Sequence, residues 1–336
     1  MRRALLPLAL TAAAAAALLP APALAAPSGT DTTAAVLAWY DATRDAVARE
    51  GWSAAGNQQV VATRAWAIGW GAADDALGQL PRGGGRQVRE DAQVAALTGA
   101  VHDALAEISP SSRPALDRVR DQVLAGLDTE ADRRALAVGQ AAAARHVHDR
   151  EGDGLTVSEV NAPFPTPAPG PGVWQPTPPS FAPAVQAGQG RARPFVLPDV
   201  ASRYVAPPPP ALDDERTLAS LREVDAVGSA SSTVRTAAQT DLARFWSQTS
   251  VGGFTDLLRP VTADAARDLP RAVHLVAVFH EVTADVQITL YAAKYRYLRW
   301  RPVTALRTED ADPRTPYDPA FTPLLATPAH PEYPSG

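Results

Sequence analysis

Two cationic residues near the end of the sequence have types and a spacing that suit anion binding. Lys294 and Arg301 are seven residues apart, and Pro302 follows directly. On a continuous helix, seven residues make about two turns, so both side chains would leave one face about 10 Å apart along the axis. Because proline cannot continue a helix, we expect the helix to end or bend there. An arginine fork and a lysine ammonium at one helix end could together bind a tetrahedral oxyanion.

The last residues of the sequence could supply the other half of such a site. Ser335 carries a hydroxyl that can donate a hydrogen bond, and Gly336 can present its main-chain amide at close range because it has no side chain. We therefore predict an oxyanion site formed by Lys294, Arg301, Ser335 and Gly336, with no residue of the chain ligating a metal directly. The alternative is that the two cations are only solvated charges in a basic helix end, where the helix dipole favours them.

Other polar residues are less suited to chemistry. Asp74 and Asp75 are adjacent, so they point to different faces of a helix and make a poor acid–base pair. His146 and His148 are two residues apart, whereas a helical metal pair needs a spacing of three or four. His280 would lie about 31 Å along the helix axis from the arginine of the cationic pair. We therefore predict that His280 is a core or surface residue outside the site.

Two motifs resemble those of a known superfamily. The run from Lys294 to Pro302 fits the pattern K-x-x-x-x-x-x-R-P, and Pro334-Ser335-Gly336 gives the first three residues of P-S-G-H. These patterns are similar to the first two motifs of the vanadium-dependent haloperoxidase and type 2 phosphatidic acid phosphatase superfamily. The third motif, S-R-x-x-x-x-x-H, is absent from the sequence. Further stretches resemble the secreted bacterial branch of this superfamily, and with them the likeness covers most of the mature chain: Trp174 to Pro179, Arg193 to Phe195, Arg235-Thr236 and Phe245-Trp246.

The resemblance implies a function for the candidate site. Lys294, Arg301, Ser335 and the amide of Gly336 would hold vanadate, the implied cofactor, or phosphate. Peroxidases of the superfamily oxidise halide with peroxide, whereas its phosphatases cleave phosphate esters through a histidine. The family's catalytic histidines would lie beyond the last residue, so the resemblance implies that no catalytic residue is present in this chain. His330 would at most support the groups that touch the anion.

Composition favours a helical protein that does not bind nucleic acid. The chain has 336 residues, a formal net charge of −5 and no cysteine. Abundant alanine and few β-branched runs favour helices. The negative net charge and the lack of a basic cluster argue against nucleic acid as a partner, and without cysteine neither disulfides nor thiolate metal sites can form. The partners we expect are a small anion or small-molecule substrate, and helix packing of this kind is compatible with a homo-oligomer.

The first residues have the pattern of an export signal. Arg2 and Arg3 precede an apolar run from Ala4 to Leu19, and Ala23 to Ala25 supplies the small residues of a cleavage site. The apolar run is shorter than the roughly 20 residues of a membrane span. No later segment is long and apolar enough for one either. We therefore predict that residues 1–25 are a signal peptide and that the mature protein is secreted.

The mature sequence divides into three regions. Residues 26–160 are predicted to form an N-terminal helical region, with helices that include Gln58 to Leu77 and Glu90 to Ile108. Residues 161–215 are rich in proline, which disfavours long helices. Residues 216–336 are predicted to begin a catalytic helical region, with helix from Thr217 to Trp246 and from Thr262 to Arg301.

Aromatic and aliphatic residues decide how the proline-rich region behaves. A disordered linker would contain few of them, yet this region holds Trp174, Phe181, Phe195 and Val196. We therefore predict an extended segment that packs over a helical body.

The fold class predicted from the whole sequence is all-α. It is a helical bundle of the vanadium haloperoxidase type, with a long proline-rich extended segment and without the last catalytic helices. The chain is then an incomplete copy of a secreted haloperoxidase or acid phosphatase, a short exported protein that binds anions weakly without catalysis, or an exported helical scaffold. If helices are missing, apolar surface of the helix before Arg301 should be uncovered.

Overall fold

The computed structural model describes residues 31–52, 59–198, 204–247, 250–309 and 312–334, and within them the regular structure is helical. The described residues form no named β-strand, and their only sheet-like pairings are two isolated bridges. The predicted all-α class is therefore confirmed. The helices are α1 (Thr32–Arg49), α2 (Gln59–Gln79), α3 (Arg86–Ile108), α4 (Arg113–Val123), α5 (Glu130–Asp149), α6 (Val157–Val160), α7 (Glu215–Gly228), α8 (Ala237–Trp246), α9 (Ser250–Ala265), α10 (Leu269–Tyr297) and α11 (Pro302–Arg307).

Helix α2 lies at the centre of the larger hydrophobic core. Its two tryptophans, Trp66 and Trp70, are fully buried, and Trp66 packs against Tyr40 of α1 at 4.7 Å between ring centroids. On its other side Trp66 stacks on His280 of α10 at 4.6 Å. Helices that are apolar on all sides are buried in this way. The prediction that His280 is a core or surface residue outside the site is confirmed, and His280 lies in the core.

Helices α3 and α5 approach each other through two glycines. A side chain on Gly99 would place its first carbon 2.4 Å from the carbonyl oxygen of Leu136, and one on Gly139 would come within 2.1 Å of that of Ala96. Neither position can hold any other residue without moving a helix. Helices α3 and α5 both contact α2, and α10 packs against α2.

Local capping signals explain several helix ends. Thr129 forms a capping box with Asp132 at the start of α5. Helix α10 begins after the N-cap Asp268, and Pro270 lies in its first turn. These signals act within one helical turn, which is why the sequence alone shows them.

The predicted helices between residues 217 and 265 need correction. The run from Thr217 to Trp246 is interrupted, because α7 ends at Gly228 and a new capping box at Thr236 starts α8. Helix α9 begins at Ser250, twelve residues before the predicted start at Thr262. It contains Pro260 in its interior. The proline is tolerated because it lies on the exposed side of the helix, where water can replace the missing hydrogen bond.

The proline-rich segment contacts the helices, but not through all four residues on which its predicted packing was based. Trp174 is fully buried and Phe195 is partly buried against the larger core, whereas Phe181 and Val196 are 63 % and 59 % exposed. The expectation that these two side chains pack is therefore wrong. The division of the chain into a signal peptide and three regions stays a prediction, and residues 1–25 lie outside the described residues.

One carboxylate fastens this segment to α10. Asp285 is buried, and its side-chain oxygens accept hydrogen bonds from three consecutive amides, those of Phe195, Val196 and Leu197, at 2.6, 2.8 and 2.8 Å. Hydrogen bonds to a charged acceptor are stronger than neutral ones. The segment is therefore held by its main chain, which leaves the Val196 side chain free to face solvent.

We expect Asp285→Asn to lower the free energy of unfolding by roughly 2–4 kcal/mol, because buried amides would lose a charged acceptor. Urea unfolding followed by circular dichroism measures this change. Asp264→Asn on the exposed face of α9 is the matched control and should change stability by less than about 0.5 kcal/mol. Equal stability of the two variants would show that Asp285 does not hold the segment.

Helices α9 and α10 together expose an apolar face. We define it by Phe254, Leu257 and Val261 of α9 and Val278, Val282 and Val286 of α10, each of which is at least 39 % exposed. The two helices touch through Phe254 and Phe279. Contiguous exposed apolar surface of this kind is uncommon on monomers. No helix among the described residues has both the length and the apolar character needed to cross a bilayer.

We expect the apolar face to cause self-association of the purified chain. Val282→Glu places a charge at its centre and should shift the sedimentation distribution towards the monomer, because burying an unpaired carboxylate is costly. Val88→Glu, at an exposed position of α3 outside the face, is the control and should leave the distribution unchanged. A monodisperse, cooperatively melting monomer of the unmodified chain would contradict this expectation.

Candidate oxyanion site

Helix α10 ends at Tyr297, before the arginine of the candidate pair. Leu298 adopts a left-handed conformation with a φ of 50° and terminates the helix. The main chain then pairs with the proline-rich segment. The amide of Trp174 donates to the carbonyl of Leu298 at 2.7 Å, and the amide of Trp300 donates to that of Gly172 at 2.9 Å. The turn after α10 is therefore built jointly with residues far away in the sequence.

The prediction that Lys294 and Arg301 share one helix face is wrong. Arg301 has extended backbone angles (φ −81°, ψ 152°) and is the N-cap of α11, with Pro302 as the first residue of that helix. Proline suits a first helical position, because its fixed φ is helical and the amide that it lacks would have no partner there. The proline therefore starts a short helix instead of ending the long one. The two cations come from different helices.

Both cations nevertheless contact the same short segment, residues 330–334. The Lys294 ammonium is buried, and it donates to the carbonyl oxygens of Pro331 at 3.2 Å and Glu332 at 2.7 Å, and to that of Pro334. An ammonium group has three hydrogens. Each of them is directed at a main-chain carbonyl of this segment. Lys294 is also the only lysine of the sequence.

Arg301 contacts the first residue of the same segment. Its Nε donates to the carbonyl of His330 at 2.7 Å, and one Nη donates to the Nδ1 of that ring at 2.8 Å. Arginine can only donate, so Nδ1 is the acceptor in this contact; the same nitrogen lies 3.0 Å from the carbonyl oxygen of Pro331. Burial and the charges of Arg301 and Lys294 lower the pKa of His330 to about 3. The imidazole is therefore neutral across the physiological range.

The positive charge of this site is poorly compensated. Burial and the neighbouring Arg301 lower the pKa of Lys294 to about 7, and burial also lowers the pKa of Arg301. Among the described residues, no carboxylate forms an ion pair with either side chain. Glu332 is the acidic residue whose charge acts on both from a longer distance. A buried ammonium beside a partly buried guanidinium, without an ion-paired carboxylate among the described residues, favours the entry of an anion.

Two tyrosines of α10 connect the site to the proline-rich segment. The Tyr291 hydroxyl accepts a hydrogen bond from Gln186 Nε2 at 2.7 Å, and the Tyr295 hydroxyl donates to the carbonyl of Val185. The amide of Val185 in turn donates to the carbonyl of Ala329 at 2.9 Å. Burial raises the pKa of both tyrosines, so their hydroxyls stay protonated. The segment thus fixes both α10 and the start of residues 330–334.

The predicted site is brought together only in part. Lys294 and Arg301 lie beside the same segment, whereas Ser335 and Gly336 lie outside the described residues. Sequence reasoning gave His330 a minor role and missed Gln186 and Tyr291. The tyrosine could have been found, because it lies one helical turn before Lys294. No local signal marks Gln186, which is 105 residues away from its partner.

The other polar candidates form pairs away from this site. His274 contacts Asp74 at 2.9 Å, and Arg145 contacts Asp75 at 2.8 Å. His146 lies 3.6 Å from the same Asp75 carboxylate. Burial lowers the pKa of His280 to about 3, in keeping with its place in the core. Of the six histidines, only His330 contacts the cationic pair.

Comparison with known proteins identifies the fold. Residues 274–336, which include Lys294 and Arg301, match a family model described as the VCPO second helical-bundle domain. No curated protein matches the chain.

Solved structures match over a longer stretch. The crystal structure of the first bacterial vanadium-dependent iodoperoxidase matches with a TM-score of 0.63 and 21 % identity, over 90 % of this chain and 76 % of that one. An apo-type bacterial vanadium-dependent chloroperoxidase matches with a TM-score of 0.58 and 18 % identity, over 82 % of this chain and 73 % of that one. The chain therefore has the fold of the bacterial vanadium-dependent haloperoxidases, which confirms its predicted resemblance to that superfamily.

Proposed function

We propose that the chain binds a tetrahedral oxyanion, vanadate or phosphate, through Lys294 and Arg301, with the Ser335 hydroxyl and the Gly336 amide as further donors. The observation that carries the proposal is a buried lysine beside a partly buried arginine, neither of which has an ion-paired carboxylate among the described residues. Burying a charge without a partner is costly. An anion between the two side chains would offset that cost, and arginine and lysine are the usual ligands of phosphate-like groups.

The positive charge of the site suits an anion. An anion would, however, compete with main-chain carbonyls and with His330 for the hydrogen-bond donors of Lys294 and Arg301. The three hydrogens of Lys294 are directed at the carbonyls of residues 331–334. Arg301 uses its Nε and one of its Nη atoms on His330, and the other Nη forms no hydrogen bond with the described residues. An oxyanion would therefore bind first to this free Nη. Lys294 would also bind the anion once its hydrogen bond to at least one of the three carbonyls is broken.

Of the two anions, vanadate is the one we propose as the cofactor. The two solved structures described above are vanadium-dependent peroxidases by name, and vanadate is an anion of the size and charge that this site favours. When bound, vanadate would supply the activation of peroxide for halide oxidation. The chain's own residues would bind and orient the anion, and the neutral His330 would keep the Arg301 guanidinium in place. The second activity that we propose for the same site is the cleavage of phosphate monoesters.

A scaffold role is a distinct alternative that one observation favours. The hydrogen bonds of Lys294 to three carbonyls would by themselves stabilise residues 330–334 without any ligand. In that case the cations are a structural clamp. The two functions differ in what a mutation removes: anion affinity in the first and only stability in the second. Export through residues 1–25 and secretion of the mature protein are compatible with either function.

Removing the arginine should weaken anion binding. We expect Arg301→Ala to reduce the affinity for inorganic phosphate and for vanadate at least tenfold, because a charge-assisted contact is lost. Isothermal titration calorimetry with each anion measures the effect. Arg296→Ala, which changes an exposed arginine of α10, is the control and should leave affinity unchanged. Equal affinity of the Arg301 variant and the unmodified chain would favour the clamp instead.

The single lysine provides a second, independent measurement. A lysine with a pKa of about 7 is largely neutral, and therefore nucleophilic, at pH 8. Acetylation of Lys294 by an amine-reactive ester should show a midpoint near pH 7 in the folded chain and at about 10.4 in urea. Mass spectrometry separates it from the N-terminal amine.

Bound phosphate should slow the acetylation of Lys294 at pH 8, because a neighbouring anion raises the pKa of an ammonium group. A chloride solution of equal ionic strength is the control. Acetylation that is equally fast in phosphate and in chloride would argue against an anion at Lys294.

A further inference from the structure

A cleft beside the candidate oxyanion site has the composition of a binding site for a small organic anion. It encloses about 260 Å³ and lies between α7, the start of α11 and the loop that carries Glu332 and Tyr333. Typical sites for drug-sized ligands begin near about 300 Å³, so this cleft suits a smaller molecule. The residues that matter for binding are Thr217, Ser220, Leu221, Arg299, Trp300 and Glu332.

Arg299 is the polar centre of the cleft. Its side chain is half-buried, and burial lowers its pKa. Its only hydrogen bond to the described residues is a long one, from an Nη to Thr217 Oγ1 at 3.5 Å. No carboxylate of the described residues forms an ion pair with it. A guanidinium group carries five donor hydrogens, so most of those of Arg299 remain available to a ligand in the cleft.

Part of the cleft wall is apolar, and a second arginine that lines it, Arg216, is ion-paired with Asp214 at 2.9 Å. Leu221 and Trp300 are almost fully buried and belong to the smaller hydrophobic core, together with α11. Pro302 closes the cleft beside them. Such a surface would cover one aromatic ring or a branched aliphatic chain. Apolar walls with one convergent charged group are the usual build of a small-molecule site.

Glu332 limits the charge that the ligand can carry. Its side chain lines the same cleft, and its charge acts on Arg299. A second negative charge on a ligand would approach this carboxylate, which is unfavourable at short range. A ligand with one negative charge meets less of this repulsion than a dianion such as phosphate.

We propose that this cleft binds small monocarboxylates with an apolar body, the carboxylate on Arg299 and the body on Leu221 and Trp300. The proposal does not depend on the oxyanion site, because none of these three side chains contacts Lys294 or Arg301 in the hydrogen bonds described above. It adds an organic ligand site to a chain whose proposed function needs only an inorganic anion.

The test uses 3-phenylpropionate as the probe and the uncharged 3-phenylpropanol as its matched analogue, titrated into the full chain by isothermal titration calorimetry. Arg299→Gln should weaken binding of the acid at least tenfold and leave binding of the alcohol nearly unchanged. Ser220→Trp, at an exposed position that lines the cleft, should fill it and abolish binding of both. Arg296→Gln, an exposed arginine outside the cleft, is the matched control and should bind the acid normally.

Three outcomes would overturn the proposal. The first is no binding of the acid to the unmodified chain at the highest soluble concentration. The second is equal affinity of the Arg299→Gln variant and the Arg296→Gln control. The third is loss of binding in Arg301→Gln with full binding in Arg299→Gln, which would assign the acid to the other pair of cations. Circular dichroism spectra of the variants establish that each one is folded.

Discussion

The placement of two positive charges beside residues 330–334 is the constraint on which the rest of this region depends. Lys294 is buried, and Arg301 lies beside the same segment without an ion-paired carboxylate among the described residues. A charge in such a place needs strong acceptors. The chain supplies them as main-chain carbonyls of residues 330–334, which offset part of the cost. The remaining deficit of negative charge is the physical reason to expect an anion.

Proline is well suited to this segment, because it has a carbonyl acceptor but no amide donor. Two of the three carbonyls around the Lys294 ammonium belong to Pro331 and Pro334. The prolines of residues 330–334 therefore offer carbonyl acceptors to a cation without offering competing amide donors. The same composition prevents the segment from forming a helix, in which these carbonyls would be used internally. The proline content of residues 330–334 therefore suits the buried charge of Lys294.

Whether a feature of this structure could be predicted from the sequence depends on how far apart in the sequence its interacting residues lie. The burial of Trp66 and the capping of α5 by Thr129 follow from neighbours within a turn or from residue type, and they were predictable. The role of Pro302 was not, because proline can both end one helix and begin the next. The left-handed Leu298 decides between these outcomes, and it is fixed by pairing with residues 172–174.

The candidate site was predictable in its chemistry but not in its geometry. The residue types and order of Lys294, Arg301 and Pro302 indicated an oxyanion site. That interpretation needed no knowledge of the turn between α10 and α11. The positions of Tyr291 and His330 depend on contacts with residues 185 and 186, more than 100 residues earlier. Such contacts leave no periodicity in the sequence, so only the folded structure shows them.

Glu332 joins the oxyanion site to the neighbouring cleft. Its carbonyl accepts from Lys294 at 2.7 Å, its amide donates to the carbonyl of Arg299 at 3.0 Å, and its side chain lines the cleft. An anion that displaces this carbonyl from Lys294 would move a residue that also borders the cleft. Two anions bound on either side of it would repel each other. Linkage makes that repulsion reciprocal, so each ligand would weaken the other by the same factor.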